Sequence, residues 1–219
     1  MARLEARDLY RFYHSGEEET AALKGVDLSL SAGEFVALVG PSGSGKSTLL
    51  ACLAGLDIPD GGSVLLDGTA ISRRSEAERA GFRARYVGML MQSGNLIEHL
   101  TVADNVALPA YLAGRRGASG RRELLDRLGL ALRAPALPSE LSGGETARAG
   151  LAVALSAAPV VLICDEPTAE VDTETERAVV DLLQEEAARG TAVLVATHSD
   201  VLASRAHRIV RLDDGRVVG

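Results

Sequence analysis

The chain has 219 residues, 47% of them hydrophobic and 24% charged, with a formal net charge of −7. These figures suit one packed α/β domain and speak against a protein that wraps nucleic acid, which needs an excess of Lys and Arg to neutralise phosphate. Aromatics make up 3% and Trp is absent, so an aliphatic core is expected.

Leu4–Leu9 and Val26–Leu30 alternate with period two, as antiparallel strands with one wet face do. Met1–Leu9 shows no apolar leader, so no secretory signal is expected. Glu34–Val39 is a short apolar run that leads into glycine, and a helix-like stretch, Lys46–Leu56, follows. Val64–Leu66 before Asp67-Gly68 predicts a strand and a turn, and Val87–Met91 another strand. From Thr101 to about Leu137 the chain is rich in Ala, Leu and Arg at helical spacing, with Gly114, Gly117 and Gly120 as breaks. A helical subdomain inserted in the core is expected there, spanning approximately 93–158 once the helix Gly143–Ala157 is included. Arg115-Arg116 and Arg121-Arg122 read as solvated loop. Val160–Cys164 has the continuous apolar character of a central parallel strand. Glu174–Ala188 predicts an amphipathic helix, Ala192–Ala196 a buried strand, and Arg208–Leu212 with Asp213-Asp214-Gly215 a closing hairpin. Strands alternating with helices imply a mostly parallel sheet.

The longest uncharged stretch, Ala149–Cys164, is shorter than the ~20 residues of a membrane span and contains Pro159. Any membrane role is therefore expected to come through a partner. Cys52 and Cys164 lie among apolar residues outside any CxxC pair, which predicts buried free thiols and a reducing compartment.

The segment Gly40-Pro41-Ser42-Gly43-Ser44-Gly45-Lys46-Ser47, followed by Thr48, fits G-x-x-x-x-G-K-[ST]. Glycines let the backbone approach phosphate where a Cβ would collide. Successive N–H groups and the N-terminus of the next helix then favour an anion. Lys46 supplies a full charge for the β- and γ-phosphates, and the Ser47 hydroxyl is an oxygen ligand suited to Mg²⁺. A strand followed by a glycine turn would be the bland alternative; the apolar strand before and the helix after favour nucleotide binding. Val160–Cys164 ends in Asp165-Glu166, at the strand end where open α/β sheets gather ligands. Asp165 is expected to hold Mg²⁺ and Glu166 to polarise an attacking water.

Leu141-Ser142-Gly143-Gly144-Glu145 opens a helix with two glycines that no turn requires. It reads as a second phosphate cradle. One chain has one γ-phosphate to hold, so the second cradle is expected to serve a nucleotide held by another subunit. The segment resembles the signature motif of the ABC ATPases, and the order of the other motifs agrees. The resemblance makes Gln92 the Q-loop glutamine and a Mg²⁺ contact, Asp172 the D-loop aspartate, His198 the switch histidine, and Tyr13 the aromatic that stacks on adenine. On strand alternation Tyr13 shares a face with Arg11 and not with Tyr10 and Phe12, which makes it the better stacking candidate. The phosphate-loop segment with Ala54-Gly55-Leu56-Asp57, then Met91-Gln92, Asn95-Leu96, Leu100-Thr101-Val102 and Asn105-Val106, is similar to the macrolide-exporter, lipoprotein-release and cell-division subgroup.

This resemblance implies the P-loop NTPase fold of the ABC type, with a mostly parallel core sheet, an antiparallel β subdomain and an inserted helical signature subdomain. It implies ATP hydrolysis with Mg²⁺, and a homodimer, with a heterodimer also open. It also implies a membrane-spanning permease subunit as partner, no nucleic acid, and a cytoplasmic place on the inner face of the membrane. The sequence departs from the pattern at Glu145, where glutamine is usual, at Val153, where arginine is common, and at Ala169-Glu170-Val171 before the D-loop aspartate. Glu145 is expected to repel a neighbour's triphosphate unless a cation or water intervenes. It is also the one point in favour of a soluble chromosome-maintenance or repair ATPase, a class that needs a long coiled coil and so sustained heptads, which this chain lacks. A small P-loop kinase would leave the second cradle and His198 without a role.

Overall fold

The protein is described by a computed structural model covering residues 2–16, 18–115, 119–169 and 171–218; Arg116, Gly117 and Glu170 lie outside the described residues. Two sheets carry the fold. In the first, β1 (Ala2–Ser15) pairs antiparallel with β2 (Glu18–Ser31) on one side and β4 (Gly61–Leu66) on the other, and β5 (Thr69–Ala70) closes the edge. In the second the order is β10-β9-β3-β8-β7-β6. Its central strands β3 (Phe35–Val39), β8 (Ala192–Ala196), β7 (Val161–Asp165) and β6 (Val87–Leu90) run parallel, as does β9 (Arg208–Asp213) beside β3. The short β10 (Arg216–Val217) folds back on β9 through Asp214-Gly215. Both β7 and β8 are buried along their whole length, which is why their sequences are apolar without alternation.

Strand geometry divides the core in two. Leu38, Ile163 and Leu194 point to a cluster shared with β1, β2, β4 and α1 (Lys46–Leu53), where Leu4, Leu30 and Leu49 are fully buried. Their neighbours Leu162, Cys164, Val193 and Val195 point the other way. That second cluster includes Val106 of α3 (Val102–Leu112), Leu124 of α4 (Ser119–Arg127), Leu151 of α5 (Gly143–Leu155) and Leu183 of α6 (Thr173–Ala188). The helices between β6 and β7 thus share their apolar core with the sheet.

Several boundaries differ from the sequence reading. β1 and β2 extend beyond Leu9 and before Val26 as a long, largely polar ribbon. α1 stops at Leu53, and Gly55 just beyond takes φ +70. Gly114 follows α3 with φ +73 as a break should, whereas Gly120 lies inside α4. Two helices were not predicted: α2 (Glu76–Tyr86) and α7 (Asp200–Arg205). α2 has few apolar residues to set a period, but Ser75 and Glu78 form a reciprocal capping box at its start. Both cysteines are buried and free; burial raises both thiols, Cys52 to about 12.

Candidate functional site

Parallel pairing brings the chemistry together. The register sets Leu38 beside Ala196, Ala196 beside Asp165, and Cys164 beside Leu90. Four strands therefore end level at one edge of the sheet. The segment after each begins there: Gly40 after β3, His198 after β8, Glu166 after β7 and Gln92 after β6. The Thr197 N–H donates to the Leu38 carbonyl and the Glu166 N–H to the Ala196 carbonyl, which holds these loops in step. They line one cleft of about 530 Å³ with Ser42, Lys46, Ser47, Asp165, Glu166 and His198 on its walls; Gln92 reaches it too.

The phosphate loop is compact for steric reasons. A Cβ on Gly40 would lie 2.0 Å from the Leu212 carbonyl oxygen, and one on Gly45 would lie 2.4 Å from that of Ala22. Gly43 takes φ +78 and faces open space. The Ser44 hydroxyl is buried without a protein partner, a donor set that fits an anion. Lys46 is 7% exposed, and its ammonium donates to the carbonyls of Gly40 (2.8 Å) and Pro41 (3.1 Å). It also lies 3.5 Å from His198 Nε2. A full positive charge thus stands at the mouth of the loop. Ser42 and Ser47 are exposed on the cleft wall, Pro41 is exposed beside it, and Thr48 follows on the first turn of α1.

Asp165 is buried at 8% exposure, at the last position of β7. Glu166 next to it takes a left-handed φ of +49, an arrangement that turns its side chain out of the strand alternation. Its Oε2 accepts from the His198 backbone N–H at 3.2 Å, and its Oε1 lies 3.4 Å from His198 Nε2 while lacking any hydrogen bond. An uncommitted, mostly buried carboxylate oxygen beside a cationic lysine is well placed to accept a proton from water. Asp165, Ser47 and Gln92 are oxygen donors on three sides of the cleft, and a cation that keeps several waters needs few protein ligands. The residues present fit ATP with Mg²⁺.

Tyr13 sits near the free end of the β1–β2 ribbon, 42% exposed. Tyr10 and Phe12 stack on each other at 6.4 Å, so Tyr13 is the aromatic left over, on the face of Arg11. The Arg11 guanidinium lies 4.7 Å from the Tyr13 ring centre, and the Tyr13 hydroxyl donates to Asp57 at 2.9 Å. Burial lowers the Arg11 pKa, but hydrogen bonds to Asp57 and Asp60 outweigh it and leave the guanidinium more basic than usual. Burial likewise raises Asp57, and its hydrogen bonds from Arg11 and Tyr13 more than reverse this.

The signature opens α5. Ser142 caps the helix, and the Ser142 and Glu145 side chains reciprocate in a capping box. The Glu145 charge is engaged within its own chain. Its carboxylate accepts from the Ser142 N–H at 2.8 Å and from Arg133 Nε at 2.7 Å. The Ser142 backbone and the Arg133 ion pair bring its pKa down to about 2. The charge is turned back on its own helix end, and Arg133 is the cation that intervenes. No periodicity in the sequence could announce Arg133 as its partner.

Among the described residues, none of Leu141, Ser142, Gly143, Gly144 or Glu145 lines the phosphate cleft. Ser142, Gly143 and Gly144 instead share a groove of about 570 Å³ with Arg148, Asp172 and Thr175. The packing there is close, since a Cβ on Gly144 would lie 2.7 Å from Thr175 Oγ1. Asp172 caps α6: its Oδ1 accepts from the N–H groups of Glu174 and Thr175, and its Oδ2 from the Thr175 hydroxyl, each at 2.9 Å. Sequence reasoning passed over Arg148 and Thr175, which complete this groove; their spacing on two different helices carries no local signal.

The sequence profile described as ABC transporter matches residues 23–169. The chain is 42% identical to the lipoprotein-releasing system ATP-binding protein LolD of Geobacter metallireducens, over 98% of this chain and 97% of that one. It is 41% identical to the macrolide export ATP-binding/permease protein MacB of Burkholderia pseudomallei over 99% of its own length, and spans 34% of that protein. Among solved structures, a dimeric post-hydrolysis state of the ATP-binding cassette MJ0796 bound to ADP and Pi superposes with a TM-score of 0.91. That match has 34% identity and covers 99% of this chain and 97% of that one.

Proposed function

The chain belongs to the ABC transporter family, and from that membership we propose that it is the nucleotide-hydrolysing subunit that drives a separate membrane-spanning permease. It has the α/β cassette fold of the family, binds ATP with Mg²⁺ and hydrolyses ATP. No helix among the described residues is long and apolar enough to cross a membrane. From the likeness to ATP-binding proteins of membrane transporters, the proposed location is cytoplasmic, peripheral on the inner face of the membrane through the permease. Glu145, the one point in favour of the chromosome-maintenance alternative, acts here as the capping residue of α5, and the relatives reported above are transporter ATP-binding proteins.

The observation that carries the assignment of roles is the single cleft joining Lys46, Asp165, Glu166 and His198. Gly40, Pro41, Ser42, Gly43, Ser44, Gly45, Ser47 and Thr48 would cradle the phosphates, with Lys46 on the β- and γ-groups. Ser47, Asp165 and Gln92 would hold Mg²⁺, which supplies charge neutralisation across the phosphates. The Glu166 carboxylate takes a proton from water as the water oxygen bonds to the γ-phosphorus. The bond from that phosphorus to the β–γ bridging oxygen breaks, and the electron pair leaves with ADP. His198 holds Glu166 through its backbone N–H and turns its ring toward the γ-phosphate. Leu141, Ser142, Gly143, Gly144 and Glu145, with Asp172 beside them, would close on the nucleotide of a second copy. The segment 93–158 would pass that closure to the permease, in the manner of a rigid-body switch.

Lys46→Ala should abolish ATP binding, and Glu166→Gln should bind ATP yet lose about 10²-fold or more in steady-state hydrolysis. Near-normal hydrolysis by Glu166→Gln would falsify the role given to that carboxylate.

A further inference from the structure

We propose that Asp57 and Arg11 are positioning residues that hold the Tyr13 ring as a fixed platform for the nucleotide base. This rests on the reading of Tyr13 as the stacking aromatic and adds what orients it.

Tyr13 lies near the end of the β1–β2 ribbon, only two residues short of the end of β1, and is 42% exposed. An exposed tyrosine in such a place would sample several orientations, and ordering it on binding would weaken affinity. Two contacts remove that freedom. The Tyr13 hydroxyl donates to Asp57 Oδ2 at 2.9 Å, which fixes the tip of the ring. The Arg11 guanidinium lies over one face at 4.7 Å, which fixes the plane and leaves the opposite face to a ligand. Arg11 is itself locked, with Nε on Asp57 Oδ2 at 2.8 Å and Nη1 on Asp60 Oδ2 at 3.0 Å. Asp60 also accepts from the Phe12 N–H at 2.7 Å, which ties the clamp to the backbone of the ribbon.

The anchor is not a loose loop. Asp57 follows directly on the turn that ends α1, and its N–H donates to the Ala51 carbonyl within that helix. Helix α1 begins with Lys46 and Ser47. One rigid element therefore carries the phosphate contacts at its start and the clamp of the base platform at its end. The guanidinium that backs the ring also makes it a poorer place for a second cation, and a purine π-face stacks well on a tyrosine.

The experiment is a double-mutant cycle on the full chain, with ATP binding measured by displacement of a fluorescent ATP analogue and KM and kcat measured alongside. Tyr13→Phe keeps the ring and removes only the hydroxyl; Asp57→Asn keeps the shape and removes the charge. Each should weaken ATP binding about fivefold, the size of an ordinary net hydrogen bond, since this one is partly exposed and acts on the base only through the ring. The rise should fall on KM and leave kcat nearly level. The double variant should be no weaker than either single one, and in Tyr13→Ala, itself weaker still, Asp57→Asn should add nothing. Melting curves report folding, and Tyr13→Phe, being exposed, keeps the test open if Asp57→Asn unfolds. Tighter binding by Tyr13→Phe would mean that the clamp parks the ring away from the base, and strictly additive losses would mean that Asp57 acts without Tyr13; either result overturns the proposal. If Tyr13→Ala binds ATP normally, the stacking role itself fails, and the clamp with it.

Discussion

Replacing Asn105 should show how the segment between Gln92 and α3 is held. Asn105 is 3% exposed on the first turn of α3, and its amide serves the preceding segment alone. Its Oδ1 accepts from the Ile97 N–H at 2.7 Å, while its Nδ2 donates to the carbonyls of Ile97 (3.1 Å), Leu100 (3.0 Å) and Thr101 (3.0 Å). The Ile97 and Thr101 carbonyls have backbone donors as well, from the Leu100 and Asn105 N–H groups. Among the described residues, the Ile97 N–H and the Leu100 carbonyl have only the side chain. Asn105→Ala therefore strands one donor and one acceptor, at about 1–3 kcal/mol each when water cannot reach them. Ile97 is half exposed, so water offsets part of this and a total of about 2–3 kcal/mol is expected. For a chain of this size that lowers the melting temperature by roughly 5–10 °C. Asn105→Asp is the sharper variant. Its carboxylate still accepts from Ile97 but faces three carbonyl oxygens, so burial and repulsion raise its folded pKa above the unfolded value. Its stability is then lost as pH rises through that folded pKa, and it should melt below Asn105→Ala at pH 7.5 and recover relative to it in acid. Scanning calorimetry at two pH values decides the matter. An Asp variant that melts above the Ala variant at neutral pH would refute this account of the amide.

Two further predictions concern residues whose meaning the structure altered. Glu145→Gln should leave ATP-driven dimerisation, followed by light scattering in the Glu166→Gln background, within about twofold, because Arg133 already neutralises the carboxylate. The folded pKa of Glu145, about 2, lies below its usual 4.5. Its contribution to stability is present above pH 4.5, is lost as pH falls toward 2, and should vanish from the acid limb of a stability profile in Glu145→Gln and shrink in Arg133→Ala, which keeps the Ser142 N–H bond. A charge at Ile97, which is exposed, should spare the fold and break copurification with the permease, while the same charge at Leu96, which packs against the second core cluster, should lower the melting temperature. Folded Ile97 variants that still copurify would place the docking surface elsewhere.

The parts of this protein legible in its sequence are those where one short segment carries its own physics. A glycine loop with Lys46 and Ser47 needs no distant residue to be a phosphate cradle. A continuous apolar run such as Val160–Cys164 announces a buried parallel strand, and the carboxylates after it announce a polar site. The alternation Tyr10, Phe12 against Arg11, Tyr13 separated the stacked pair from the free ring before any coordinates. Local rules failed where the local pattern was faint: α2 has a cap but little apolar period, and the outer ribbon of β1 and β2 mixes polar and apolar residues with register shifts that break the alternation. What only the tertiary structure decided was partnership. Glu145 in sequence is a bare negative charge; in space it is a helix cap paired with Arg133, twelve residues earlier. Asp57 in sequence is a residue after a helix; in space it meets Tyr13 across 44 positions. Leu96 and Ile97 are neighbours in sequence, yet one turns into the core and the other to solvent. Charge and hydrogen-bond energies depend on distance and burial, and those are set by how distant segments pack together, which no single segment specifies.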